Sequence, residues 1–305
     1  MSDTQAGAPP APRTPRLLVT IPHYYRQGSN SRYGSGRDKA EARIHGLRRC
    51  ITALHQSLGS RHAIIQISTE TAHPIIPQQG VEIDIVICTA GEDHLIGELA
   101  LGDDLFTHEP TDIPDPMFLG FECHRVLKER FGAYDWYAFM EDDLVISDPW
   151  FLVKCAWFQK YCGPMKVLQP NRFEVAGGPP QKVYIDGDLK EGMVRQILPN
   201  GPEAELKGHF LDLEIRMVRA LNPHSGMFML SSVQMQHWLQ QPRFLNRDSS
   251  FLGPLESAAT CGILRTFQVF KPHVGNAAFL EVQHYGHAFM RHIGGKFPWR
   301  DDPVI

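Results

Sequence analysis

Three consecutive acids, Glu141, Asp142 and Asp143, stand between the apolar run Trp136-Tyr-Ala-Phe-Met140 and the apolar run Leu144-Val-Ile146, with no turn residue on either side. Such flanks carry the backbone through the core or along its edge, so the carboxylates are drawn out of water. A buried carboxylate without a partner costs several kcal/mol, and no basic residue lies close in sequence. A divalent cation is the simplest compensation, and hard oxygen ligands suit Mn2+ or Mg2+. A second acidic cluster, Gly102-Asp103-Asp104, lacks apolar flanks and reads as a solvated turn. For the triplet, a purely structural ion stays open as an alternative.

Positioning such a site takes a sheet, and the pattern provides one. Apolar residues 16–21 form a short run that stops at Pro22-His23-Tyr24, a strand feeding a loop. Ile44, Leu47, Ile51, Leu54 and Leu58 recur at helical spacing, with Asp38 and Glu41 in the first turn and Gly59 as the stop. Residues 63–67 read as a second strand and 81–87 as a third, so the sheet begins as a parallel βαβ unit. A polar loop (101–116), a helix (117–131) and the strand 136–140 follow. Asp148-Pro149 opens a helix through Tyr161. Strands are expected at 166–169 and 182–185, with a Gly-Gly-Pro-Pro turn between them, and at 226–230. Ser231 or Ser232 caps a helix carrying Trp238, and Gly253-Pro254 opens another through Leu264. The reading is α/β, one domain with a mixed, mostly parallel sheet flanked by helices and a Rossmann-like N-terminal half. Its divisions are a disordered tail (1–16), a first half (17–147) and a second half (148–305). The triplet then falls at the carboxyl end of a strand, where open α/β sheets bind ligands.

Composition narrows the class. The chain has 305 residues, 30 Lys and Arg against 34 Asp and Glu, and a net charge of −4. That balance lacks the basic stripe of a nucleic-acid binder. No apolar stretch is long enough for a transmembrane segment, and the Pro-rich N-terminus lacks the apolar region of a secretory signal, so a cytoplasmic protein is expected. The six cysteines form no CxxC pair and mostly sit in apolar runs, which suits buried free thiols rather than a zinc site.

A strand ending in an acidic triplet, after an N-terminal βαβ half, resembles the GT-A glycosyltransferases and their Asp-x-Asp motif, here Glu141-Asp142-Asp143. The resemblance covers element order over most of residues 17–290 and implies a single GT-A-like domain. It also implies Mn2+ or Mg2+ held against the diphosphate of a nucleotide sugar, with Asp143 as the direct metal ligand, Asp142 assisting and Glu141 toward the ribose. The loop after the first strand, from Pro22 and His23 to Arg26, would face the nucleotide, with Tyr24 or Tyr25 to stack on the base and Arg26, Arg32, Arg37 and Lys39 for the pyrophosphate. Thr89 and Ala90 would line the base pocket. A solvated loop is the plain alternative for the basic residues.

The same resemblance implies a base at the start of a late helix. Glu256 sits there, where the helix N-terminus favours the ionised form that a base requires. Its alternative is a first-turn acid that only complements the helix dipole, and Asp248 is held in reserve. A metal-binding His near the C-terminus is implied too: His284 first and His287 second, among His273, His284, His287 and His292. His224, Ser225 and Gly226 are placed on the acceptor wall. Trp238 and Trp299 are candidate sugar-stacking faces or packing residues.

Together these readings predict a metal-dependent transferase moving a sugar from a nucleotide-diphosphate donor to a hydroxyl acceptor on a glycan, glycolipid or other molecule, with inversion if Glu256 is the base. A sugar nucleotidyltransferase is the nearest rival, although Pro22-His23-Tyr24-Tyr25 stands where its Gly-rich phosphate loop belongs. A non-catalytic nucleotide- or carbohydrate-binding module is the other.

Overall fold

A computed structural model describes residues 13–27, 40–190, 204–219 and 221–304. The nearly continuous apolar run in Arg16–Pro22 forms β1, and the amphipathic stretch Ala40–Leu58 forms α1. His62–Gln66 and Thr71–Ile75 are β2 and β3, Glu82–Ala90 is β4, and Thr107–Thr111 is β5. Leu119–Glu129 is α2, Trp136–Met140 is β6, Leu144–Val145 is β7, and Phe151–Cys162 is α3. Lys166–Leu168, Asn171–Val175 and Lys182–Tyr184 are β8 to β10, followed by the hairpin Glu205–Phe210 (β11) and Leu213–Val218 (β12). Met227–Ser231 is β13, Ser232–Leu239 is α4, Pro254–Thr266 is α5, Gln268–Pro272 is β14, and Glu281–His284 is β15.

The architecture is mixed α/β. Its central sheet has the order β13-β6-β1-β4-β5. Strands β6, β1, β4 and β5 run parallel, and β13 closes the sheet antiparallel to β6. Side chains alternate across it as the pleat requires. Leu17, Val19, Ile21, Ile85, Ile87, Ala138 and Met140 pack against α1 and α3. Leu18, Val86, Cys88, Tyr137 and Phe139 pack against α2, α4 and α5. Smaller sheets, β10-β9-β15-β7 and β11-β12-β14-β8, extend from it.

Several expectations are corrected. Residues 63–67 do form a strand, but it pairs antiparallel with β3 in an exposed hairpin outside the central sheet. The parallel crossover is β1-α1-β4. Strand β5 lies within the segment read as loop, because its polar residues give no alternation. Strand β10 pairs with β9 rather than β8, and β9, β11, β12 and β14 were not expected. Within the stretch read as a tail, Arg13 and Arg16 are anchored: the Arg13 guanidinium and the Arg16 amide both donate to Asp135. Ser231 is the cap of α4, in a reciprocal bond pair with Gln234. All six cysteines are free thiols, and among the described residues no helix is long and apolar enough to cross a membrane.

Candidate active site

Because β1, β4 and β6 run parallel, their carboxyl ends meet at one edge of the sheet, and the triplet leaves the end of β6 there. The Glu141 amide donates to the Gly226 carbonyl at 2.9 Å, extending the β6–β13 pairing by one step. Gly226 has φ +66°, and a Cβ at that position would stand 2.7 Å from Glu141 Oε2. Only glycine gives both the left-handed backbone and the room for the Glu141 carboxylate.

Asp142 is buried and held from two sides. Its Oδ2 lies 2.6 Å from His23 Nδ1 and 2.5 Å from the Arg43 guanidinium. His23 Nε2 accepts the Leu95 amide at 3.2 Å, so the ring proton sits on Nδ1 and is donated to Asp142. Burial pushes the Asp142 carboxyl up, but Arg43 and the His23 bond outweigh it and hold it below the usual range. Two expectations change here. Asp142 is neutralised from within the protein, so it is not an assisting metal ligand. His23 is fully buried with both ring nitrogens engaged, so it props Asp142 instead of facing a nucleotide.

Asp143 has different surroundings. Its Oδ1 is buried with no hydrogen-bond partner, and its Oδ2 is 3.6 Å from His284 Nε2. The other nitrogen of that ring, Nδ1, is 3.0 Å from Glu174 Oε1. Glu174 is fully buried and also accepts the backbone amides of Phe289 and Met290. This is the carboxylate–imidazole arrangement that orients a metal-binding His and leaves its far nitrogen outward. Burial pushes His284 down, yet Asp143 and Glu174 together raise it above its ordinary value. Among the described residues no three His, Cys, Asp or Glu side chains converge as a closed metal cluster. Asp143 and His284 fit an open site of the kind Mg2+ and Mn2+ use, where one or two protein groups leave positions for phosphates.

Glu141 lies on the other side of the loop. Burial, joined by the charges of Asp143 and Glu256, pushes its carboxyl up to about 8 against the pull of Arg172 and His284. Its Oε1 has no hydrogen-bond partner and stands 3.7 Å from His224 Nε2. Glu256, half-buried in the first turn of α5, is thus brought within electrostatic reach of the triplet. Behind it, Arg172 and Lys271 share Asp186, at 2.9 and 2.8 Å. The acceptors still outnumber the cations around the loop.

No protein-family model matches this chain. No curated protein matches it in sequence either. Among solved structures it is similar to that of GalNAc-T7 with UDP, GalNAc and Mn2+, at 10% sequence identity and a TM-score of 0.47, over 89% of this chain and 44% of that one. The chain therefore spans less than half the length of that protein.

The remaining expected residues divide. His224 and Ser225 are buried: His224 Nδ1 meets Thr260 Oγ1 at 3.1 Å, and Ser225 Oγ donates to the Pro170 carbonyl at 2.8 Å. They do not form an acceptor wall, and Gly226 serves Glu141. Thr89 is buried and bonded to His108 Nε2 at 2.8 Å, so it offers no face to a base. Pro22 is the buried last residue of β1, and Tyr25 is buried beside it, while Tyr24 is partly exposed. Arg26 is exposed and pairs with Asp93. Arg32, Arg37 and Lys39 lie outside the described residues. Trp238 is core, packed on Phe228, Phe244 and Gly262, whereas Trp299 is exposed. Asp248 pairs with Arg265, away from the triplet, and His287 is exposed beside Met290.

Sequence reasoning missed Arg43, Arg172, Glu174, Asp186 and Lys271. Only Arg43 left a signal: it falls on the buried stripe of α1, four residues before Leu47 and in step with Leu54. Arg172 and Glu174 alternate inward on β9, where an apolar pattern would ordinarily mark the buried face.

Proposed function

We propose that the chain is a metal-dependent glycosyltransferase that moves a sugar from a nucleotide-diphosphate donor to a hydroxyl acceptor. The observation that supports this reading is the Asp143–His284 pair at the carboxyl ends of the parallel strands, with an unpartnered buried carboxylate oxygen and an imidazole set in place by Glu174. Asp143 and His284 would hold Mn2+ or Mg2+, which when bound supplies charge neutralisation for a leaving diphosphate. Arg43 and His23 hold Asp142, and through it they fix the loop on which Asp143 stands. Glu141 presents its carboxyl to a ribose hydroxyl. Glu256, at the positive end of α5, takes the proton from the acceptor oxygen as that oxygen attacks the anomeric carbon, which gives inversion. Residues 17–147 would then serve the donor and 148–305 the acceptor.

A thermal-shift panel of UDP-, GDP-, CMP- and dTDP-sugars, with and without Mn2+, tests this. One nucleotide should stabilise the protein, and only with the ion; at a hundredfold excess over Kd the gain is about 2.7 kcal/mol. Glu256→Gln should keep that stabilisation and lose transfer. Stabilisation by no nucleotide, or equally without the ion, overturns the reading. Release of pyrophosphate from a nucleoside triphosphate and a sugar 1-phosphate would replace it with nucleotidyl transfer.

A further inference from the structure

Helices α2, α4 and α5 and the loop that follows α4 enclose a cavity of about 470 Å3. Pockets for small organic molecules measure roughly 300–1,000 Å3. The floor is aromatic. Phe121 and His124 of α2, Trp238 of α4 and Phe244 of the loop meet edge to face in a chain, with successive ring centroids 5.6, 5.0 and 4.8 Å apart. Gly262 brings α5 against this floor, where a Cβ would stand 2.8 Å from the Trp238 indole. The rim is polar: Arg243, Asn246 and Asp248 come from the loop, and Arg265 from the last turn of α5.

The charged states of the lining leave one positive charge over. Burial would raise the Asp248 carboxyl, but bonds from Ser250 and the charges of Arg265 and Arg243 hold it below the usual range, so it is ionised. His124 is neutral at pH 7, because burial pushes its ring down to about 4. Burial likewise raises the Cys261 thiol, which stays protonated. Asp248 pairs with Arg265, and Arg243, exposed at the mouth, supplies the second cation.

We infer that this cavity binds a small aromatic monoanion, its ring packed on the aromatic floor and its carboxylate against Arg243 and Arg265. Ring-on-ring contacts favour a flat apolar body over the floor. A guanidinium offers a carboxylate two parallel donors, which fixes the anionic end at the rim. A neutral or cationic ligand would leave the extra charge unanswered. Leu245, which also lines the cavity, holds φ at +64°, a left-handed backbone that side chains disfavour. Strain of that kind gathers at ligand sites, where the surrounding structure holds it in place.

The cavity is distinct from the acidic triplet. Arg265 follows Glu256 by nine residues, about two and a half turns, so the two side chains leave opposite faces of α5 about 13.5 Å apart along its axis. An occupant of the cavity leaves the candidate metal site open, and the inference holds whether or not the chain transfers sugar.

Isothermal titration of the full chain with 2-naphthoate at pH 7 tests it, with 2-naphthylmethanol and 2-naphthylmethylammonium as the neutral and cationic counterparts. The carboxylate should bind at least ~10-fold more tightly than either. Arg243→Glu, an exposed change that reverses the charge at the mouth, should weaken 2-naphthoate binding at least ~10-fold. Arg300→Glu, outside the cavity, and Asp143→Asn, in the candidate metal site, should leave that affinity unchanged. Melting curves of each variant without ligand separate lost binding from lost folding. Failure of 2-naphthoate to bind, equal affinity for the three compounds, or indifference to Arg243→Glu overturns the inference. Binding lost in Asp143→Asn would assign the anion to the metal site and overturn it as well.

Discussion

Asp142 and Asp143 are adjacent, identical in chemistry and opposite in surroundings. Asp142 meets an arginine and an imidazole that offset the cost of its burial, whereas one oxygen of Asp143 has no partner at all. The same substitution should therefore do different things at the two positions. Asp142→Asn leaves Arg43 buried beside a neutral amide and should lower stability by about 3 kcal/mol, read as a shifted urea midpoint. Asp143→Asn should leave that midpoint nearly unchanged and abolish Mn2+-dependent nucleotide binding in the thermal-shift assay. A lower melting temperature for Asp143→Asn in the absence of nucleotide would make the ion structural. The triplet was legible because apolar neighbours force it inward; its division of labour was not, because Arg43 and His23 come from α1 and the loop after β1.

At the scale of elements, α2 and α5 are joined behind the site by a buried histidine. His124 Nε2 donates to the Ala258 carbonyl at 3.1 Å, and burial pushes the ring down to about 4 from its model-compound value of 6.5. Between those pH values the unfolded chain binds the proton and the folded chain does not, so stability falls as pH falls. The term amounts to about 3 kcal/mol by pH 4. His124→Gln keeps a donor for Ala258 and should lose this part of the slope, seen when denaturation midpoints of the two proteins are compared from pH 7 to pH 4. An unchanged slope would assign acid sensitivity elsewhere, for instance to His224, whose ring burial also pushes down. Strands with clean alternation or a continuous apolar run (β1, β4, β6, β13) were readable from sequence. Strand β5, THEPT, and β9, NRFEV, were not: their inward positions hold polar or charged groups whose partners are remote in the chain.

For the molecule as a whole, the smaller sheets are tied to the central one through charge. Asp186 follows β10 and holds Arg172 of β9 and Lys271 of β14, and Lys271 also donates to the His224 carbonyl at 2.6 Å beside the central sheet. Burial alone would raise the Asp186 carboxyl, but the two cations pull it down to about 2. Asp186→Asn leaves two buried cations without their shared partner and should cost about 3–5 kcal/mol in chemical denaturation, far more than loss of a surface pair. Retention of wild-type stability would mean that the smaller sheets are held by packing alone.

Local pattern was enough to specify β1, α1 and β4 as elements, the strand that delivers the triplet, and the late helix that begins at Gly253-Pro254, because periodicity and capping act over a few residues; that β4 and not 63–67 is the strand beside β1 was decided by the tertiary structure. It also placed Asp143 just past a strand's carboxyl end. Which acid stays unpartnered, that Glu174 rather than solvent orients His284, and that His224, Ser225 and Thr89 are sealed inside were decided by tertiary structure alone. Hydrogen bonds and ion pairs among buried groups depend on distance in space, and the partners here stand up to 134 residues apart in sequence.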